Sequence, residues 1–399
     1  MLRPIRFRHH GLRVVHQSHP GELTAIALTI RAGARFDGRH PGLAHLTEHM
    51  LFQGTASLDQ IALNRRAAEL GGEHNADTGY EDISLTFEVF NEDFEDALGL
   101  LAEQYYRTRV DPKRFRKERR VVMEEIRGRL DDPVDRVYRR AWGRFFSEPL
   151  SHAVCGSLAS VRDIEPADVT QFLRRHLDHA NSVLAIVGGV SVARTRAAVR
   201  RHFRGGARRR PNAGPPVRLQ PGGQLRLRNG SSSQAYLNKL IAVSPEPRRL
   251  LAMGVALDLV GADPDSRLFQ ELRERLGLSY EVSANLEWGP DWAVAVLSAS
   301  AGRQQAERLA RAVDETCRRA ADEGFSEEEL CRARKKIRYR YALLADNRLD
   351  QALALAETAL WRFPTPQEAE RIVASLTRRE IEVEWRHALE SRSVTAVLD

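Results

Sequence analysis

Three segments of this chain recur about two hundred residues further on, and repetition on that scale limits the fold more than any local pattern. Asp111-Pro-Lys-Arg-Phe-Arg-Lys-Glu-Arg-Arg120 resembles Ser326-Glu-Glu-Glu-Leu-Cys-Arg-Ala-Arg-Lys335, at an offset of 215 residues. Ser160-Val-Arg-Asp-Ile164 resembles Ser375-Leu-Thr-Arg-Arg379 at the same offset, and Ser182-Val-Leu-Ala-Ile-Val187 resembles Ser393-Val-Thr-Ala-Val-Leu398 at 211. Such a drift is what small loop insertions produce in a duplicated domain. Between the copies, Pro and Gly cluster from Gly205 to Gly223, a linker composition. With 399 residues, too many for one ordinary core, the expected organisation is a first domain over 1–204, a linker over 205–223 and a homologous second domain over 224–399.

Local patterns fill both halves in the same way. In the first, alternation predicts strands near 12–17 and 22–31, then a helix near 41–53. A second helix is expected to open at Ser57, where Ser57-Leu-Asp-Gln60 makes a capping box. Strands near 73–78 and 83–90 follow, then a helix from Asn91 to about 106 and another opening at Asp111-Pro112. The half closes on the apolar strand 183–187. In the second half, strands are expected near 224–229, 234–243, 280–287, 291–300 and 393–398. Helices are expected near 248–261 and 265–276, and long helices through 303–390. The fold class is therefore α+β: two α/β-sandwich domains related by duplication, each an antiparallel-rich sheet covered by helices on one side.

Composition narrows the function. Hydrophobic content of 42% with 29% charged residues describes a folded protein. No stretch has the apolar length of a membrane span, and the basic N-terminus lacks a following apolar core, so neither a membrane nor a secretory route is expected. An amphipathic organelle-targeting segment remains open, with cytoplasm the preferred compartment. Three cysteines, none in Cys-x-x-Cys spacing, read as structural thiols in a reducing setting. The net charge of +7 comes mostly from Arg spread among Glu and Asp on amphipathic helices. Only Arg204-Gly-Gly-Ala-Arg-Arg-Arg-Pro211 is a compact basic run, and no nucleic-acid motif accompanies it, so no nucleic-acid partner is expected.

The chemistry-bearing feature is His45-Leu-Thr-Glu-His49. On a helix, imidazoles four residues apart stand one above the other and can reach one metal ion, and Glu48 shares their face. This is the H-x-x-E-H order of a zinc hydrolase site. Such a site takes three protein ligands and leaves a position for water, so a third ligand must come from the same half. The segment Glu118-Arg-Arg-Val-Val-Met-Glu-Glu-Ile126 offers Glu118 and Glu125, two turns apart on one helix face, and spacing alone lets either serve as ligand. Asn75, in an expected strand, is a candidate for gripping a peptide main chain by strand addition. His74 alternates to the other face and is not expected to be a ligand. The second half has no H-x-x-E-H, so any zinc site belongs to the first.

These residues carry a resemblance to the pitrilysin/insulinase family of zinc metallopeptidases, and to its short members with two homologous domains per chain. Gly42-Leu-Ala-His-Leu-Thr-Glu-His-Met-Leu-Phe-Gln-Gly-Thr55 is similar to that family's motif helix. Gly71-Gly-Glu-His-Asn-Ala-Asp-Thr78 resembles its substrate-binding segment, and Ser266-Arg-Leu-Phe-Gln-Glu-Leu-Arg-Glu-Arg-Leu-Gly-Leu-Ser-Tyr280 its second-domain signature. The departures are Thr47, where a bulky apolar residue is usual, and Glu73-His74. The resemblance implies one zinc ion per chain on His45, His49 and Glu125, with Glu118 in support and Glu48 as general base. It also implies that Arg273 and Tyr280, seven residues apart, contact substrate carbonyls. The implied partner is a short or unfolded polypeptide enclosed by two subunits, the Arg/Tyr pair reaching the other subunit's zinc. A homodimer is favoured because this chain carries both parts. A heterodimer with a motif-less partner, or a non-catalytic core-type assembly subunit, are the alternatives.

Overall fold

The computed structural model describes residues 3–207, 213–228, 232–279 and 281–399. Tyr280 and residues 208–212 of the expected linker therefore lie outside the described residues. The chain forms two compact units, neither contiguous in sequence. Unit 1 comprises Met1–Arg127, Ala153–Pro215 and Ala342–Pro366; unit 2 comprises Gly128–His152, Pro216–Tyr341 and Gln367–Asp399. Each unit thus includes a segment from the other half of the sequence.

Unit 1 is built on six strands: β1 (Ile5–His9), β2 (Leu12–Ser18), β3 (Leu23–Ile30), β4 (Glu73–Thr78), β5 (Ile83–Phe90) and β6 (Ser182–Gly188). Their order is β1-β2-β6-β3-β5-β4, antiparallel throughout except for β2 and β6. β3 is nearly all buried because both of its faces are packed. Ile26, Leu28 and Ile30 point into the main core, which includes Leu46 and Met50 of the Leu43–Leu51 helix and Phe94 and Leu98 of the Phe94–Arg107 helix. Ala25 and Ala27 point the other way, with Val183, Ala185 and Val187, onto Ala352, Leu355 and Ala356 of the Arg348–Trp361 helix. Small side chains there let the helix approach the sheet closely.

Unit 2 carries five strands: β7 (Gly223–Leu227), β8 (Gln234–Ala242), β9 (Val282–Trp288), β10 (Ala293–Gly302) and β11 (Ser393–Leu398). Their order is β7-β11-β8-β10-β9, with only β7 and β11 parallel. One face packs Leu237, Ile241, Ala295 and Leu297 against helices Pro247–Leu257, Ala306–Glu323 and Arg378–Glu390. The Pro133–Phe145 helix packs on β8 and β11. Its Trp142 meets Trp292 edge to face, with ring centroids 5.7 Å apart.

The α+β class with a main helical layer on one sheet face holds in both units, and the added finding is one further helix contributed by the other half of the sequence. The expected helix start at Ser57 needs correction. Thr55 Oγ1 accepts from the Ser57 and Leu58 amides and forms a turn. The helix then runs Gln60–Glu69, capped by the Asp59 carboxylate accepting from the Ala62 amide at 2.8 Å. Ser57 Oγ instead donates to Glu103. The expected helical stretch 303–390 resolves into separate helices, the longest being Glu327–Asp346 and Ala306–Glu323. Among the described residues, no helix is long and apolar enough to cross a membrane.

Candidate metal centre

The motif helix Leu43–Leu51 is started by two devices. Gly42 has φ of +95°, a left-handed conformation, and a Cβ there would lie 2.7 Å from the Cys155 carbonyl oxygen. The buried Asp37 carboxylate accepts from the Gly42 amide at 2.6 Å and the Ala44 amide at 2.7 Å, using donors that a helix start leaves free. Leu43, Ala44, Leu46, Met50 and Leu51 bury one face, which aims His45, Glu48 and His49 along the other. Thr47, the unusual residue in the motif, is buried, and its hydroxyl donates to the Leu43 carbonyl at 2.7 Å.

His45 and His49 stand edge to face with ring centroids 4.8 Å apart. The Pro112–Asp131 helix brings Glu125 across both. One Glu125 oxygen lies 3.7 Å from His45 Nε2, and the other lies 3.6 Å from His49 Nε2. Around a tetrahedral zinc with bonds of about 2.1 Å, donor atoms sit roughly 3.4 Å apart, close to the 3.7 Å and 3.6 Å at which the two Glu125 oxygens lie from the two imidazole nitrogens. The three donor atoms lie within 4.8 Å of one another. Glu118, two turns before Glu125, is buried and lies 3.3 Å from His49 Nδ1. A carboxylate behind an imidazole fixes its tautomer and ring orientation. Of the two carboxylates that spacing leaves equivalent, Glu125 faces both Nε2 atoms and Glu118 the far side of one ring.

Glu48 is held beside this cluster by Thr78, whose hydroxyl donates to Glu48 Oε2 at 2.6 Å. Burial raises the Glu48 pKa above the ordinary value, and the nearby charges of Asp77 and Glu125 add to it, against the Thr78 bond and His49. Burial works against a proton on His49, but the Glu118 bond and the Glu125 and Glu48 charges outweigh it and raise the His49 pKa. Thr78 was not singled out from sequence. The signal was present in the period-two alternation that puts Thr78 on the same strand face as His74.

Asn75 is exposed on β4, the open edge of the unit 1 sheet, and its side-chain oxygen accepts from the Ala76 amide at 2.9 Å. His74 points to the opposite face and is not among the cluster of possible metal donors. In unit 2, Arg273 lies on the π-helical turn Gln270–Arg275, its guanidinium 4.9 Å over the Phe269 ring. Turns of this kind are frequent at functional positions. Tyr280 lies outside the described residues.

The chain is similar to several known proteins. Residues 13–151 match the model of the insulinase family, peptidase family M16, and residues 163–337 match that of the peptidase M16 inactive domain. An uncharacterized zinc protease of Mycobacterium leprae is 30% identical over 336 residues, covering 82% of this chain and 75% of the relative. A zinc protease of Rickettsia bellii, also uncharacterized, is 24% identical over 402 residues, covering 98% and 95%. Among solved structures, a peptidase M16 inactive domain from Pseudomonas fluorescens superposes with a TM-score of 0.92 at 18% identity, covering 100% of this chain and 98% of the other. A protease from Helicobacter pylori gives 0.92 at 17% identity, covering 100% and 99%.

Proposed function

The chain belongs to the insulinase family, peptidase family M16, and on that premise we propose that it is a zinc-dependent endopeptidase acting on short or unfolded polypeptides. The observation that carries this reading is the convergence of His45, His49 and Glu125 beside a half-buried Glu48. His45 and His49 through Nε2, and Glu125 through its carboxylate, would hold one zinc ion per chain. When bound, zinc supplies Lewis acidity, polarising the scissile carbonyl and making water a nucleophile near neutral pH. Glu48 takes the proton of the attacking water and returns it to the leaving amine. Its raised pKa brings it nearer to neutrality, where a general base is most effective. Thr78 keeps one Glu48 oxygen occupied and so fixes which oxygen meets the water. Glu118 holds the His49 ring in its ligating tautomer. Asn75 and the β4 edge take the substrate as an added strand.

Arg273 and Tyr280 contact substrate carbonyls at the active site of a second copy, so that two chains enclose the peptide and form two shared sites. Three free cysteines, two of them buried, support a reducing, cytoplasmic setting. A peptide library incubated with wild type, with chelated protein and with Glu48→Gln tests the chemistry. Cleavage should be lost on chelation, return with zinc and be absent in the variant; persistent cleavage in Glu48→Gln rejects the assigned base. Mixing inactive Glu48→Gln and Tyr280→Phe chains tests the assembly, because a shared site recovers activity in the mixture and separate sites do not.

A further inference from the structure

Both ends of the edge strand β4 are tied to the motif helix. At its last residue, the Thr78 hydroxyl donates to Glu48 Oε2. Near its start, the His74 ring lies between two phenylalanines. It stacks within 5° on Phe87 at 4.1 Å and leans on Phe52, the residue that ends the motif helix, at 4.8 Å. His74 Nε2 lies 2.9 Å from Gln104 Oε1, which can only accept, so this nitrogen carries the proton and donates. The fully buried Gln104 in turn donates through Nε2 to the Leu51 carbonyl at 3.1 Å, in the last turn of the motif helix. Two polar chains therefore run from one six-residue strand to one nine-residue helix.

The free edge of β4 is where a peptide would add. The Asn75 carbonyl accepts the Thr86 hydroxyl of β5, so it faces inward. Alternation along a strand then turns the main-chain groups of His74 and Ala76 toward the open edge. A slip of one residue moves a strand by about 3.3 Å, whereas a displacement of about 1 Å at a reacting bond costs on the order of a hundredfold in rate. Peptide hydrolysis on an added strand therefore needs β4 held at a fixed height against Glu48.

We propose that His74 and Gln104 are positioning residues for the substrate: with Thr78 they set the register of β4 against the motif helix, and so select which bond of an added peptide faces Glu48. This rests on the peptidase reading above. A His–Gln pair that served packing alone would affect stability and leave the cleavage position untouched. The bond register is the readout that separates the two roles.

The test uses the full chain with its zinc, as wild type, His74→Phe, Gln104→Leu, the double variant and His74→Gln. Zinc content is measured alongside the bonds cut in one extended peptide, mapped by mass spectrometry, and amide exchange of residues 73–78. Phe keeps the stacking between Phe52 and Phe87 and removes the donor. The expected result is unchanged zinc, β4 amides exchanging at least about tenfold faster than in wild type while β3 and β5 keep their protection, and products spreading to neighbouring bonds. The double variant should be no worse than either single change, because both break one chain. His74→Gln, which retains a donor, should restore part of the wild-type cleavage pattern. Wild-type bond selection in His74→Phe, or unchanged β4 exchange, overturns the proposal. Wild-type protein that holds zinc but cuts no peptide defeats the peptidase reading itself and the positioning role with it, whatever β4 exchange shows.

Discussion

The two units follow one strand plan and differ in what the plan carries. In unit 1 the order β2-β6-β3-β5-β4 has its single parallel pair at β2 and β6; in unit 2 the order β7-β11-β8-β10-β9 has it at β7 and β11. The helix after β3 presents His45, Glu48 and His49. The corresponding helix after β8, Pro247–Leu257, has no histidine and buries Leu250, Met253, Ala256 and Leu257. A helix in this place therefore packs well without any of the residues proposed to form the metal site. The fold does not ask for two imidazoles, a half-buried glutamate and a facing pair of carboxylates; under the proposed function their presence in unit 1 belongs to a site grafted on the fold. Partial burial raises the Glu48 pKa, an unfavourable arrangement for stability that the Pro247–Leu257 helix, which has no acidic residue, does not carry.

The sharpest way to break this contrast is to remove the base alone. Glu48→Gln should leave zinc bound and lower kcat by roughly 10²–10⁴-fold, measured on whichever peptide the wild type cuts. A loss of zinc in that variant would mean that Glu48 holds metal.

The next largest effect concerns stability. Burial lowers the His74 pKa from 6.5 to about 4. Because the folded value lies below the unfolded one, the contribution is fully present above pH 6.5 and is lost as pH falls toward 4. The whole difference is worth roughly 3 kcal/mol. Denaturant melts at pH 7 and pH 4.5 should show most of this loss in wild type and less of it in His74→Phe. Equal losses in both would remove His74 as the cause.

Glu118→Gln keeps the size of the side chain and removes its charge behind His49. It should weaken zinc binding about 10- to 100-fold, as loss of an outer-shell carboxylate does, while a competition titration against a chelator gives the number. No change would mean that His49 is oriented by packing alone. The smallest expected effect lies in unit 2. Arg273→Ala should raise KM about tenfold, in keeping with loss of one charge-assisted contact, with zinc content unchanged. An effect on zinc would contradict the separation of metal and substrate roles between the units.

Much of this was legible in the sequence. The H-x-x-E-H helix, the facing Glu118 and Glu125, and strands β4 and β5 all follow from period and spacing, because each pattern admits one geometry. The helix start differs from the expected Ser57 because Thr55, Ser57 and Asp59 are all capping residue types within five positions, and only packing decides which of them opens the helix. The helices Pro133–Phe145 and Arg348–Trp361 were harder still. An amphipathic pattern reveals an apolar face but not which sheet it will cover, and each of these two packs in the unit formed mainly by the other half of the chain. The Thr78–Glu48 and His74–Gln104–Leu51 contacts span 30 residues or more in sequence, beyond the reach of any local pattern.

Metal content tests the central claim most directly: zinc per chain, measured by elemental mass spectrometry on purified wild type and on His49→Ala. One equivalent in the wild type and less than about a tenth in the variant is the expected result, since removing one of three protein ligands leaves too few donors for a stable zinc site. Wild-type protein without zinc after exposure to the metal, or a His49→Ala variant that keeps a full equivalent, would contradict a metal centre on His45, His49 and Glu125.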